Sequence, residues 1–409
     1  RQRQMCIRDS QLTEDINNKA YGTDGNTAQD QRALSDAQMN STNTLYDALG
    51  PVLGKYYKDA ADAGKLPKTA QFLSDMNKSA STGVAKATYQ HPRPYVDRVN
   101  FNGTTLNMNG LKQTLNIKKV PGYENFDWGD GEAPDNEYDG LYNSGSFPSG
   151  HTTFAFTQGA GLAYLLPELG PEIMTRVSEA GNNRIVLGVH YPLDIMGGHI
   201  AGQYGVATAV SGEKTAQEGA AARAELVDYL TAQCKADNHG DTLDACITNT
   251  GANAANGYRN DFTDEVSTKP VTDRASALAA YKARMTYGFQ ATGTTGQAPV
   301  VPDSAVRMLD NVAAFKSLDS AQKKAVLAAT EGDSGYPLDA SSQGWARVNL
   351  AAAYSAKVTL SADGKNVVKV EPGQAQASVV RETSGNNGNN GGNGNGGSNA
   401  GNIGVNNAA

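Results

Sequence analysis

Residues 183–205 read NRIVLGVHYPLDIMGGHIAGQYG, and the breaks within this stretch decide how the rest of the chain must fold around it. A helix running from Glu172 places Ile173, Val177, Ala180 and Arg184 on one face, so a guanidinium lies on the inward stripe. An inward Arg requires an anion. Gly188 ends that helix and Pro192 opens the next at a first-turn position, which holds His190 in the break with Asp194 in the following first turn. The carboxylate is placed to accept a hydrogen bond from one imidazole nitrogen, leaving the other as a free lone pair. Gly197, Ala201 and Gly205 recur at helical spacing and admit a close helix neighbour that fixes this geometry. His199 reads as structural or exposed.

Two clusters upstream belong with it. Residues 145–156, GSFPSGHTTFAF, put Ser149, Gly150 and His151 where an apolar-periodic run begins, at a helix N-terminus whose unpaired N–H groups and dipole favour an anion. Gly150 lets a ligand approach the backbone closely. On this cluster alone, Ser149 as an ordinary N-cap and His151 as a first-turn surface residue remain open. Residues 86–94, KATYQHPRP, place Lys86 in a helix's last turn and Arg93 on the exit segment, because Pro92 biases His91 to an extended backbone. Both cations can then face one pocket, or simply complement the helix dipole.

Taken in order, Lys86 and Arg93-Pro94, then Pro148-Ser149-Gly150-His151, then Arg184, His190 and Asp194 resemble the phosphatase signature of the type 2 phosphatidic acid phosphatase superfamily. That superfamily also holds bacterial class A acid phosphatases and vanadium haloperoxidases. The similarity runs from about Leu45 to Val210, and LAYLLPELGPEIMTRVSEAGNNR looks most like the soluble acid phosphatases. Asn183 stands where the family usually has Ser, which is expected to alter pocket hydrogen bonding without abolishing activity. The resemblance implies an all-α helical bundle of the acid phosphatase/vanadium haloperoxidase type. It also implies metal-independent phosphomonoester hydrolysis, with an acidic to neutral pH optimum. His190 is then the nucleophile of a phosphohistidine, Asp194 its orienting group and His151 the proton donor. Lys86, Arg93, Ser149, Gly150 and Arg184 bind phosphate, and no metal or other cofactor takes part. The alternatives are a vanadate-dependent haloperoxidase, in which vanadate occupies the same constellation, and a non-catalytic surface or binding protein.

Composition agrees with a local anion site on an otherwise anionic molecule. The 409 residues carry 35 Lys+Arg against 42 Asp+Glu, net −7, which disfavours a nucleic-acid footprint spread over the surface. No run of about eighteen apolar residues is present to span a bilayer. The partner is expected to be a small phosphorylated substrate, and its alcohol and the oligomeric state are left open. Three cysteines are too few for a disulfide scaffold. Cys234 and Cys246 flank a polar loop and can close a short bridge, or be two unrelated small side chains.

At the ends, RQRQMCIRDS resembles translated adapter sequence, so residues 1–33 are expected to be disordered or partly non-native, with any signal peptide missing and the location secreted, periplasmic or cell-surface. Residues 34–230 are expected to form the helical phosphatase domain and 231–383 a mostly helical accessory region. Residues 384–409, rich in Gly and Asn, are expected to form a disordered tail. Helical periodicity covers Ala70–Lys86, Thr152–Leu166, Glu172–Leu187, Leu193–Val210, Ala220–Cys234, Ala275–Met285, Ser304–Leu318 and Ala321–Thr330. A hairpin joins Lys357–Leu360 to Asn366–Val370. The long irregular stretch from about Val96 to Phe147 is expected to line or cover a site, its acidic run FDWGDGEAPDNEYDG being a solvated loop.

Overall fold

The computed structural model describes residues 2–339 and 342–384, and there the chain is all-α apart from one small sheet. The expected tail lies outside the described residues but for Ser384. The chain opens with α1 (Gln2–Tyr21), α2 (Ala28–Ala37), α3 (Ser41–Leu45), α4 (Gly50–Asp62), α5 (Pro67–Asn77) and α6 (Gly83–Tyr89). The irregular segment that follows contains the short α7 (Glu137–Leu141). It leads into α8 (Gly150–Leu165), α9 (Gly170–Val186) and α10 (Pro192–Val210), which stand at the centre. Then come α11 (Glu213–Ala236), α12 (Leu243–Thr250), α13 (Arg274–Thr286), α14 (Ser320–Thr330) and α15 (Leu350–Tyr354). No helix among the described residues is long and apolar enough to cross a membrane.

The central helices are held close by missing side chains. A Cβ on Gly159 would stand 2.3 Å from Val177 Cγ1 on α9, and one on Gly202 would stand 2.5 Å from Phe156 Cβ and 2.7 Å from the Thr153 carbonyl on α8. The close approach of α10 to α8 therefore runs through Gly198 and Gly202. Of the small residues noted in the sequence, Gly197 instead packs against Phe147 and Gly205 against the Ser79 carbonyl. The latter contact lies where the expected Ala70–Lys86 helix breaks into α5 and α6. The expected Ser304–Leu318 helix is likewise two tighter turns, Asp303–Leu309 and Ala313–Ser317, with Asn311 between them donating to the Tyr164 carbonyl at 2.8 Å.

The hairpin is present as β1 (Lys357–Leu360) against β2 (Val367–Glu371). A third strand, β3 (Ser378–Arg381), adds parallel to β1 and gives the order β2-β1-β3. One apolar cluster runs from Leu45 through α8 and α9 to Leu360, so the accessory region shares the core of the preceding helices. The expected boundaries at 34 and 230 fall inside α2 and α11. Cys234 and Cys246 form a disulfide that ties α11 to α12.

Residues 2–33, expected to be disordered or partly non-native, hold α1 and the first part of α2. Leu12, Ile16 and Ala20 form a buried stripe on α1, and Asn17 donates from Nδ2 to the Val186 and Lys118 carbonyls at 2.8 and 3.0 Å. Helix α2 is fastened by charge. Arg176 on α9 meets Asp36 at 2.6 Å and Asp47 at 2.8 Å, while Arg32 meets Glu179 at 2.5 Å. These attachments are polar, which is why hydrophobic periodicity does not reveal them.

The glycine crossings carry a prediction. Gly202→Leu overpacks the α8–α10 contact and should cost roughly 1–3 kcal/mol, read as a lowered Tm in thermal unfolding. Gly140→Ala, where an added Cβ has open space, should melt with the wild type. Equal Tm for all three chains would contradict this packing.

Candidate active site

Chain geometry delivers three segments to one place. Gly188, at φ 72°, ends α9 in the left-handed region, and Pro192 starts α10. His190 is pinned between them, 1% exposed. Its Nδ1 lies 3.0 Å from Asp194 Oδ2, which also accepts from the Tyr191 backbone N–H at 2.9 Å. Its Nε2 lies 3.0 Å from Arg93 Nη1. A guanidinium only donates and a carboxylate only accepts, so the two neighbours fix the tautomer: hydrogen on Nδ1, lone pair on Nε2.

Arg93 is itself buried. It donates from Nε and Nη2 to Ser144 Oγ at 3.1 and 2.9 Å, and from Nη1 to the Val189 carbonyl at 3.2 Å. Lys86, in the last turn of α6, donates to the Gly145 carbonyl at 2.6 Å. Burial, with Arg93 and Arg184 adding, lowers its ammonium to about 8. Arg184 is 1% exposed. It donates from Nη2 to Tyr123 OH at 2.9 Å and sits over that ring, its Cζ 5.4 Å from the centroid. Its Nε and Nη1 are buried with no hydrogen-bond partner. Unpaired donors on a buried charge are costly.

Ser149 is the N-cap of α8: its Oγ accepts from the Thr152 backbone N–H at 3.1 Å and from Thr152 Oγ1 at 2.9 Å. The Gly150 and His151 N–H groups have no acceptor among the described residues, and a Cβ on Gly150 would find nothing closer than 3.8 Å. That leaves an open, donor-bearing helix N-terminus. His151 Nε2 lies 3.1 Å from the Ala37 carbonyl at the end of α2. The carbonyl can only accept, so Nε2 carries the hydrogen and Nδ1 is the atom free to exchange a proton.

Electrostatics link these groups. Burial holds the His190 imidazole well below its usual range, and Arg93, Lys86, Arg184 and His151 push the same way. Burial, then Arg184 and Arg93, do the same to His151. Asp194 is raised to about 6 by burial, against the donors around it.

Several contributors escaped the sequence reading. Ser146 Oγ donates to Asp194 Oδ1 at 3.3 Å and lies 3.1 Å from His91 Nδ1. Tyr123, Ser144 and Ser146 all come from the irregular segment or its end, where no periodicity marks an inward residue. Trp128, in the acidic run, packs its ring 5.9 Å from that of His151 and donates from Nε1 to Glu137. Asn183, expected to reshape pocket hydrogen bonding, turns to Asp36 instead, donating at 2.7 Å. His199 is structural, 2.8 Å from Tyr281 OH and stacked on Phe156.

The region that holds these groups is similar to known proteins. Residues 70–216 match the family model described as PAP2 superfamily. An acid phosphatase of Zymomonas mobilis is 40% identical over 62 residues, 15% of this chain and 24% of that protein. A non-specific acid phosphatase of Providencia stuartii is 27% identical over 189 residues, 45% of this chain and 61% of that protein. The matches thus span less than two thirds of either relative.

The cations around His190 set a testable protonation state. In the phosphate-free protein its imidazole should stay neutral until well below pH 6.5, because three cations and burial oppose the imidazolium. Inorganic phosphate should move the midpoint upward. Nitrogen NMR of the ring reads this directly, and a phosphate-free midpoint at or above 6.5 would contradict the site's electrostatics.

Proposed function

We propose that this chain, whose residues 70–216 match the PAP2 superfamily model, is a metal-independent acid phosphatase that hydrolyses phosphomonoesters through a phosphohistidine. The observation that carries the reading is His190 fixed with its Nε2 lone pair presented beside Arg93, in the same field as the unpaired donors of Arg184.

A phosphomonoester dianion answers the needs of this pocket. Its oxygens satisfy Arg184 Nε and Nη1, draw Arg93 Nη1 away from His190 Nε2, and take the Gly150 and His151 N–H groups. Lys86 adds a third cation. Ser149, engaged as the N-cap, contributes by holding that N-terminus in place. Nε2 of His190 then attacks phosphorus in line while the ester P–O bond breaks. Asp194 takes the hydrogen bond from Nδ1 and stabilises the imidazolium that develops.

The departing alkoxide needs a proton, and His151 supplies it from Nδ1. Neutral in the unliganded pocket, His151 gains that proton as the bound dianion offsets the nearby guanidinium groups, so substrate binding arms the acid. Water next loses a proton to Nδ1 and attacks the phosphohistidine. The P–N bond breaks and phosphate leaves. Because Arg93, Arg184 and Lys86 already neutralise the phosphoryl charge, the chemistry asks for no metal. The Cys234–Cys246 bridge fits an oxidising location: secreted, periplasmic or cell-surface.

Hydrolysis of para-nitrophenyl phosphate in chelator-treated buffer tests this. The wild-type chain should turn over, and His190→Ala should lose kcat by about 10³-fold or more while remaining folded. Unchanged phosphate release by His190→Ala would overturn the assignment. So would halide oxidation with vanadate and peroxide in the absence of any ester hydrolysis.

A further inference from the structure

Ser146 is fully buried at the end of the irregular segment, and its hydroxyl stands between two titratable side chains. Its Oγ lies 3.3 Å from Asp194 Oδ1 and 3.1 Å from His91 Nδ1. A hydroxyl has one hydrogen and a carboxylate only accepts. The hydrogen of Ser146 therefore goes to Asp194, and the bond from His91 must run from Nδ1–H to Oγ. That direction fixes the His91 tautomer. Burial, with Arg98 adding, lowers this imidazole to about 4 and keeps it neutral.

The surrounding contacts hold His91 and Ser146 in register. The Ser146 backbone N–H donates to the His91 carbonyl at 2.8 Å, so the two side chains leave adjacent points of the backbone. The His91 ring meets that of Tyr191 edge-on, with centroids 5.0 Å apart. Tyr191 is itself clamped: its hydroxyl donates to the Pro92 carbonyl at 3.0 Å and accepts from Arg98. Its backbone N–H reaches Asp194 Oδ2, the oxygen that faces His190 Nδ1. Lys86, Arg93 and Asp9 of α1 also act on Asp194 through charge, yet among the described residues Ser146 is the one donor to Oδ1. Bonds to Oδ2 alone leave a carboxylate free to turn about that oxygen; the bond to Oδ1 fixes its plane.

We propose that His91 is a positioning residue for the reaction: through the Ser146 hydroxyl it fixes the plane of Asp194, and so the aim of the His190 imidazole. His91 touches neither the attacking Nε2 nor the phosphate cradle. The inference rests on the phosphatase reading above.

Two measurements test it. Nitrogen NMR of the His91 ring at neutral pH reads the tautomer without reference to activity. Hydrogen on Nδ1 is expected, and a ring carrying it on Nε2 would overturn the inference. Kinetics with para-nitrophenyl phosphate read the role. His91→Phe keeps a ring against Tyr191 but removes the donor, and should lower kcat about 3–10-fold, the scale of one hydrogen bond. KM should change little, because Asp194 acts on the imidazolium that develops in the transition state. His91→Asn, whose amide restores a donor, should recover most of the loss. Ser146→Ala should lower kcat at least as far as His91→Phe, and combining the two should lower it no further, since one acts through the other. Wild-type kcat in His91→Phe, no recovery in His91→Asn, or losses that multiply in the double variant would each overturn the inference while the active wild type upholds the phosphatase reading. A wild type that hydrolyses no ester fails that reading, and the role of His91 in the reaction falls with it.

Discussion

The Arg184 guanidinium, shut away from water with two of its three nitrogens unpaired, is the constraint around which the candidate site is arranged; Arg284, also buried, leaves Nε and Nη2 unpaired as well. Arg184 Nε and Nη1 find no acceptor, and its one protein partner, Tyr123, is a neutral hydroxyl. Leaving a buried donor unmade costs about 1–3 kcal/mol, and more on a charged group. The fold sustains this arrangement because Arg184 lies in the last turn of a helix buried along its whole length, and withdrawal to solvent would dismantle the core. On the proposed function, a dianion entering the pocket would relieve that penalty by accepting from those donors.

The groups around Arg184 act together. Arg93 sits against His190 Nε2, which both engages one guanidinium nitrogen and fixes the tautomer with its lone pair on Nε2. Burial, with Arg93, Lys86 and Arg184 adding, holds both imidazoles well below their usual range. Attachment of α2 matters here as well. The pairs Arg176–Asp36 and Arg32–Glu179 bind it to α9 about two turns and one turn ahead of Arg184, and its end carries the carbonyl that orients His151. A set of ion pairs remote from His151 thus positions the carbonyl that orients its ring.

Much of this was legible in the residues themselves. Gly188 and Pro192 mark the break that holds His190, and the stripe through Ile173, Val177 and Ala180 points Arg184 inward. Both signals are local, and both survive in the folded chain. What periodicity conceals is polar or irregular. Tyr123 and Ser144 reach the site from a segment without regular structure, and Asn183 turns to an acidic partner 147 residues away in sequence. The N-terminal helices bind through Asn17, Arg32 and Asp36 as much as through apolar stripes, so a reading built on hydrophobic spacing leaves them loose. The crossing of α10 on α8 is a case of near agreement: small residues do permit it, but Gly198 and Gly202 form the contact, one position removed from the series read along the sequence.

Arg184, Arg93 and the start of α8 should enclose a tetrahedral oxyanion in front of His190, and a crystal structure of the protein with orthovanadate will show whether they do. Vanadate oxygens are expected within hydrogen-bond distance of Arg184 Nε and Nη1 and of the Gly150 N–H, with His190 Nε2 facing the central atom and Arg93 withdrawn from it. An anion bound elsewhere, with Arg184 still unpaired, would overturn this arrangement.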